Sequence, residues 1–296
     1  MAEFKFFCPG CGQHIQCDSR YVGSQINCPA CKQMIDVPKP GGIPAAKPPV
    51  QAKSKTPIII SAAVLSALVA GTALYLFLFS KSTPQLPGLV ALWKADGNAR
   101  DSIGGNHGDL MNGAGFDRGV IGKAFSFNGN QEYVEVPSDP AITPTGPFTA
   151  TAWVKYSKLI GHRGGAVLAK GVDAESAVDW AMAVSDAHKL RPHANVGNSW
   201  VYFDCATTLK PGVWYHVALV YDGASLKGFV NGALDGKQTV SGKLQATDNS
   251  LKIGSYAPVN GTMSKCFFAG EIDEVALFDR ALSAGEIKTI YKAGAH

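Results

Sequence analysis

Two cysteine pairs near the start of the chain carry its most specific chemistry: "CPGC" holds Cys8 and Cys11, and "CPAC" holds Cys28 and Cys31. A C-x2-C turn presents two thiolates on one side while its backbone amides stabilise their charge. Two such turns complete a tetrahedral shell of soft ligands about 2.3 Å from a metal. Sixteen residues separate the pairs, a spacing that suits a two-knuckle zinc site. Zinc is the expected ion, and rubredoxin-like iron is the alternative, because four sulfurs in a tetrahedron suit both. A thioredoxin-like redox site is disfavoured by two C-x2-C pairs without a βαβ pattern. Cys17 and His14 are left over and read as a strand side chain and a surface residue. The segment has only Lys5, Arg20 and Lys32 as bases, and the whole chain a net charge of +4, so no nucleic-acid partner is expected.

The stretch that must position these thiols, "FKFFCPGCGQHIQCDSRYVGSQINCPACKQMIDVP", resembles a zinc ribbon, with short strand-like runs after each knuckle. A segment this small needs a metal to fold, so a fold-stabilising or protein-docking role is expected of residues 1–38. Residues 39–57, rich in Pro and Lys and without aromatic or acidic residues, read as a linker. "IIISAAVLSALVAGTALYLFLF", residues 58–79, has no charge and is long enough for a hydrocarbon core of about 30 Å. A single transmembrane helix is expected there, followed by a short linker over 80–87. Lys39, Lys47, Lys53 and Lys55 precede the span with no acid among them, which places the N-terminus in the cytoplasm and the C-terminal domain outside the cell membrane. A reducing compartment disfavours disulfides among the first cysteines.

Residues 88–296 read differently. Short alternating runs such as "LVALWKA", "FTATAWVKY", "VWYHVALVYD" and "GEIDEVALFD" are separated by Gly, Asn and Asp, a pattern for a β-sandwich or barrel. Asp222-Gly223 and Asn231-Gly232 are tight-turn signals. Ser283 and Glu286 form a capping box for one terminal helix, with Ile287, Ile290 and Tyr291 on one face and Gly294 to close it.

In order, "LVALWKADGNARDSIGGNHGDL", "GKAFSFNGNQEYVEVP", "GVWYHVALVYDGASLKGFVNG" and "GEIDEVALFDRALSAGEIKTIY" resemble the laminin-G-like domain of the concanavalin A-like lectin/glucanase superfamily. The resemblance implies a mainly β fold, a two-sheet antiparallel jelly-roll sandwich with a short C-terminal helix. It also implies a carbohydrate-binding or adhesive module, sometimes with calcium at its rim. Fold alone does not settle function.

Candidate site residues follow. Glucanases of the superfamily need an E-x-D-x-x-E strand, because retaining hydrolysis uses two carboxylates about 5 to 5.5 Å apart. Here Glu271 and Asp273 are present but Ala276 stands in the third place, so no catalysis is expected. His216 alternates with Trp214, Ala218 and Val220 and reads as a hydrogen-bonded structural histidine. Asp96, Asn98 and Asp101 after the first strand, with Asp273 near the last, form a possible calcium set. The alternative is Asx turns and a buried Asp273 bonded to backbone amides. Trp153, Trp180 and Trp214 read as core. Trp200, Tyr202 and Asp204 share one strand face, and with Asp179 nearby they are the candidate ligand surface, an ordinary solvent-facing sheet being the alternative. Cys205 and Cys266 are candidates for one disulfide outside the membrane. The expected partner is a glycan or an envelope protein. An adhesion protein, a glycan hydrolase on another carboxylate pair, and a transmembrane sensor are the rival functions.

Overall fold

In "VWYHVALVYD" the period-two alternation sends Val217, Leu219 and Tyr221 into one apolar cluster and Ala218 and Val220 into another. A strand that is apolar on both faces must be covered on both, and the architecture meets that demand. The computed structural model describes residues 3–9, 14–39, 84–160, 164–171, 178–256 and 266–295. The expected membrane span at 58–79 and nearly all of the 39–57 linker lie outside these residues. Among the described residues no helix is long and apolar enough to cross a membrane. The chain divides into two units, residues 1–71 and 72–296.

The N-terminal unit holds two small hairpins. β1 (Glu3–Phe7) pairs with β2 (His14–Asp18), and β3 (Gln25–Asn27) pairs with β4 (Met34–Asp36). Cys8, Ile15, Cys28 and Ile35 are its buried cluster. So small an apolar core cannot offset the chain entropy of folding without a further cross-link.

The C-terminal unit is a two-sheet antiparallel sandwich. One sheet runs β17 (Ala233–Thr239), β16 (Ser225–Val230), β15 (Tyr215–Tyr221), β10 (Phe148–Lys158), β19 (Ala269–Phe278), β8 (Lys123–Asn128), β7 (Gly115–Arg118), with β5 (Leu89–Trp93) also pairing β19. The other runs β14 (Ser199–Tyr202), β13 (Leu190–Val196), β12 (Val178–Val184), β11 (Gly165–Gly171), β18 (Leu251–Ile253), β9 (Tyr133–Val136), β6 (Asp109–Met111). Trp93, Phe125, Phe148, Trp180, Tyr221 and Phe268 fill the space between them.

The helix α1 (Ala284–Gly294) begins with the expected capping box, Ser283 accepting from the Glu286 N–H and Glu286 accepting from the Ser283 N–H. It covers Leu92, Ala218, Val220, Ala276 and Phe278 on the outer face of the first sheet with Leu282, Ile287 and Ile290. Beyond the end of α1 that face is open.

Candidate functional site

In the N-terminal unit the thiol sulfurs of Cys8, Cys28 and Cys31 all lie within 4.8 Å of one another. Cys8 Sγ and Cys31 Sγ are 3.8 Å apart, and a tetrahedron with 2.3 Å metal–sulfur bonds has edges of about 3.8 Å. Three of the four expected ligands therefore have the spacing of a metal shell. Cys11 lies outside the described residues.

On the sandwich, Trp200 and Tyr202, expected to face a ligand, lie on β14 at the edge of the second sheet, with Asp204 just past its end. His193 is the register partner of Tyr202, and Asn195 of Trp200. The His193 ring sits 5.6 Å from Tyr202, nearly parallel at 22°, and 5.3 Å from Trp200. Tyr256 closes the group, its ring 6.2 Å from His193. Tyr202 is 52% exposed, so the group presents an aromatic surface to solvent. Arg191 frames it: its guanidinium lies 5.9 Å from the Tyr202 ring and grips Asp204 through Nε at 2.7 Å and Nη2 at 2.8 Å. Partial burial opposes ionisation of Asp204, but the bonds from Arg191 hold its carboxyl below the usual carboxylate range. Burial, reinforced by the Arg191 charge, pushes the His193 imidazole down to about 3, so it is a neutral aromatic plate at physiological pH.

His193 and Arg191 were not legible as part of this face. "KLRPHANVG" alternates Leu190, Ala194 and Val196 with Arg191, His193 and Asn195, but it carries Pro192, which normally argues against an interior strand. Pairing of β13 with β14 begins at His193, one residue past the proline, so the missing N–H removes no ladder bond from that pairing. Asp179, expected on the same surface, is instead buried. Its Oδ2 accepts from the Thr247 N–H at 2.8 Å and the Thr247 hydroxyl at 3.0 Å. Nearby Lys170 is fully buried and donates to Ser138 Oγ and to the Asn249 carbonyl.

The structure does not bring Asp96, Asp101 and Asp273 together as a cation site; among the described residues the one cluster of that kind is the cysteine group. Asp101 accepts from the backbone N–H groups of Leu92, Ile103, Gly104 and Asn106 and from the Asn106 side chain. Five donors saturate the roughly four acceptor sites of a carboxylate. Asp96 accepts from the Lys123 N–H at 2.9 Å, and Asn98 from the Arg100 N–H at 2.9 Å. Asp273 Oδ2 accepts from Val120 at 2.9 Å and Ile121 at 3.0 Å, and its Oδ1 from Glu274. Burial pushes Asp273 up to about 7 against those three donors. These carboxylates hold backbone in place: Asp101 shapes its own loop, while Asp96 and Asp273 pin residues 120–123.

The expected disulfide does not form. Cys205 is buried between the sheets with Leu190, Leu226 and the rest of the main core, whereas Cys266 belongs to a separate cluster with Ala166, Ala169, Val178, Ala181 and Tyr256. Burial pushes the Cys205 thiol up to about 12.

Around the glucanase-like strand, Glu271 pairs with Lys155 at 3.3 Å and Ala276 packs beneath α1. His216 is buried, with burial pushing it down to about 3, but among the described residues neither ring nitrogen has the expected hydrogen-bond partner. Its contacts are the rings of Trp153 at 5.5 Å and Tyr291 at 6.3 Å. Trp153 and Trp180 are buried as expected, whereas Trp214 is half-buried.

A laminin G family model described as concanavalin A-like lectin/glucanases superfamily matches residues 128–288. No curated protein matches the chain significantly. Among solved structures, Domain 4 of an extracellular arabinanase from Geobacillus stearothermophilus, in complex with arabinotriose, is similar at 19% identity and TM-score 0.55, over 69% of this chain and 98% of that one. The binding domain of Paraclostridial Mosquitocidal Protein 1 is similar at 13% identity and TM-score 0.56, over 69% of this chain and 52% of that one. A botulinum neurotoxin type C structure, whose cell entry depends on two ganglioside molecules, is similar at 13% identity and TM-score 0.53, over 71% and 52%. The chain thus spans about half the length of the toxin domains it matches, and at these identities the likeness shows the fold.

Proposed function

The chain belongs to the concanavalin A-like lectin/glucanase superfamily, and from that membership we propose that its sandwich is a non-catalytic carbohydrate-binding module. A single-pass anchor at residues 58–79 holds it outside the cell membrane, and a zinc-stabilised ribbon lies on the cytoplasmic side. The observation that carries the binding role is the Trp200–His193–Tyr202 aromatic group with the Arg191–Asp204 pair at its border. Flat, rigid rings present the apolar face of a sugar with a large contact area at little entropic cost. The bidentate pair beside them offers fixed charges to hydroxyl groups.

Two observations support the absence of hydrolysis. Ala276 occupies the third carboxylate position and is buried under α1, and the Asp273 oxygens are engaged by three backbone N–H groups. A retaining mechanism needs a free nucleophile and a general acid in the same cleft. In the ribbon, Cys8, Cys28 and Cys31, with Cys11 as the expected fourth ligand, would hold zinc. The metal supplies the folding free energy that the small apolar cluster lacks. The sugar-bound arabinanase domain and the ganglioside-dependent neurotoxin support a glycan as the ligand class for this fold.

The test is a glycan-array screen of the full-length chain in lipid nanodiscs, with and without a chelator of calcium. A defined glycan hit that survives the chelator supports the proposal. A clean negative on folded protein moves the function to a protein partner, and release of reducing ends from a polysaccharide panel would make the domain a hydrolase.

A further inference from the structure

The open part of the first sheet's outer face is a cleft of about 570 Å³, within the range of about 300 to 1,000 Å³ for small-ligand sites. Trp153 and Lys155 of β10, with Trp214 just before β15, line it from the sheet. Arg118 lines it from the end of β7, Asn231 from the β16–β17 turn, and Tyr291 and Gly294 from the end of α1. It lies on the sheet opposite the one that carries His193, Trp200 and Tyr202.

Its polar character is one-sided. Among the described residues no carboxylate lines the cleft. The indole N–H groups of Trp153 and Trp214, the Tyr291 hydroxyl, the Asn231 Nδ2 group and the Arg118 guanidinium have no hydrogen-bond partner among the described residues, while Asn231 Oδ1 accepts from the His216 N–H at 3.0 Å. Lys155 is engaged, with Glu271 at 3.3 Å and with its Nζ 5.2 Å from the Trp214 ring centre. Arg118, exposed and without an ion-pair partner among the described residues, is therefore the cation left for a ligand.

Gly294 packs directly against the edge of the buried Trp153 indole. A Cβ on Gly294 would sit 2.7 Å from Trp153 Nε1, so any other residue at the end of α1 would press on the donor. Beneath the indole, His216 is buried, and its ring nitrogens have no hydrogen-bond partner among the described residues.

We propose that this cleft is a second ligand site, specific for a carboxylated saccharide, with Trp214 against the sugar ring and Arg118 on its carboxylate. Several unpaired donors with no competing acid select a ligand rich in acceptors. An arginine fork discriminates for a planar carboxylate, and the half-buried Trp214 indole supplies the stacking surface. The proposal goes beyond the first site, since it needs none of the residues on β13 and β14.

The test measures binding of the full-length chain to a panel of uronate and sialoside oligosaccharides and to their neutral counterparts. At least one carboxylated member binds tenfold or more tightly than its neutral counterpart. Arg118→Ala removes that preference, and Trp214→Ala weakens binding at least tenfold. Tyr202→Ala leaves it unchanged, which separates this site from the first. Arg118 is exposed, so its substitution leaves the fold intact, and circular dichroism verifies this. No carboxylated ligand, equal affinity for neutral sugars, indifference to Arg118→Ala, or loss on Tyr202→Ala would each overturn the proposal.

Discussion

The His193 ring lies against Tyr202, its register partner on β14, with centroids 5.6 Å apart and planes 22° from parallel. The stack makes the histidine part of the proposed binding platform. Burial pushes its imidazole down to about 3, while the mutual bonds hold Arg191 above and Asp204 below its ordinary range, so both stay charged from pH 5 to pH 8. Ligand affinity at this face is therefore expected to stay flat from pH 8 to pH 5. Titration calorimetry across that range checks it, and a loss near pH 6.5 would show an imidazole that titrates at its ordinary value.

Stability is expected to have a marked acid limb. His216 has a folded pKa of about 3 against 6.5 in the unfolded chain. Above pH 6.5 both states are neutral; below it the unfolded state takes up the proton first, so stability falls as pH drops from 6.5 towards 3. His193 acts in the same direction. Asp273, raised to about 7 from 3.8, has the opposite sign, and its contribution is lost as pH rises from about 4 to 7. His216→Phe should gain about 3 kcal/mol relative to wild type on going from pH 8 to pH 4, by the linkage relation. Urea unfolding at the two pH values measures this, and parallel curves would contradict it.

Cys205 occupies space that glycine alone leaves free. A Cβ on Gly228 would lie 2.3 Å from Cys205 Sγ and 3.2 Å from Pro192 Cγ. Gly228→Ala should destabilise by about 1 to 3 kcal/mol through overpacking. Adding Cys205→Ala should return part of that loss, giving a coupling of at least about 0.5 kcal/mol. Additive effects in a double-mutant cycle would contradict the packing described.

The ribbon makes a compositional prediction. Full-length chain should carry one zinc ion per chain by elemental analysis, and Cys28→Ala should lose both the metal and the protease resistance of residues 3–39. Stoichiometric iron, or an ordered ribbon without metal, would contradict it.

Much of this was legible in the sequence because period-two alternation and turn chemistry act locally. "VWYHVALVYD" became Tyr215–Tyr221 and "FTATAWVKY" became the first nine residues of Phe148–Lys158. Asn231 and Gly232 take positive φ of 50° and 79° between paired strands, as their tight-turn signal required. The capping box of α1 was legible for the same reason. The short polar strand "GFDR" carries no such signal, and in "LRPHANV" the alternation is interrupted by Pro192, so the pairing of both is set by neighbours distant in sequence. The same limit hid the site. Trp200 and Tyr202 share a face by spacing alone, but His193 joins them only through sheet register. Cys205 and Cys266 looked like a pair by elimination, yet the fold buries them in different clusters.

The most direct test of the central claim is a side-by-side glycan array of full-length wild type and Tyr202→Ala, with reducing-end release measured on every glycan that binds. Tyr202 is more than half exposed at 52%, so its removal tests the surface and leaves the fold in place. The account predicts a defined glycan hit for wild type, loss of that hit in Tyr202→Ala, and no release of reducing ends. A hit that persists unchanged in Tyr202→Ala, or cleavage of the bound glycan, would contradict it.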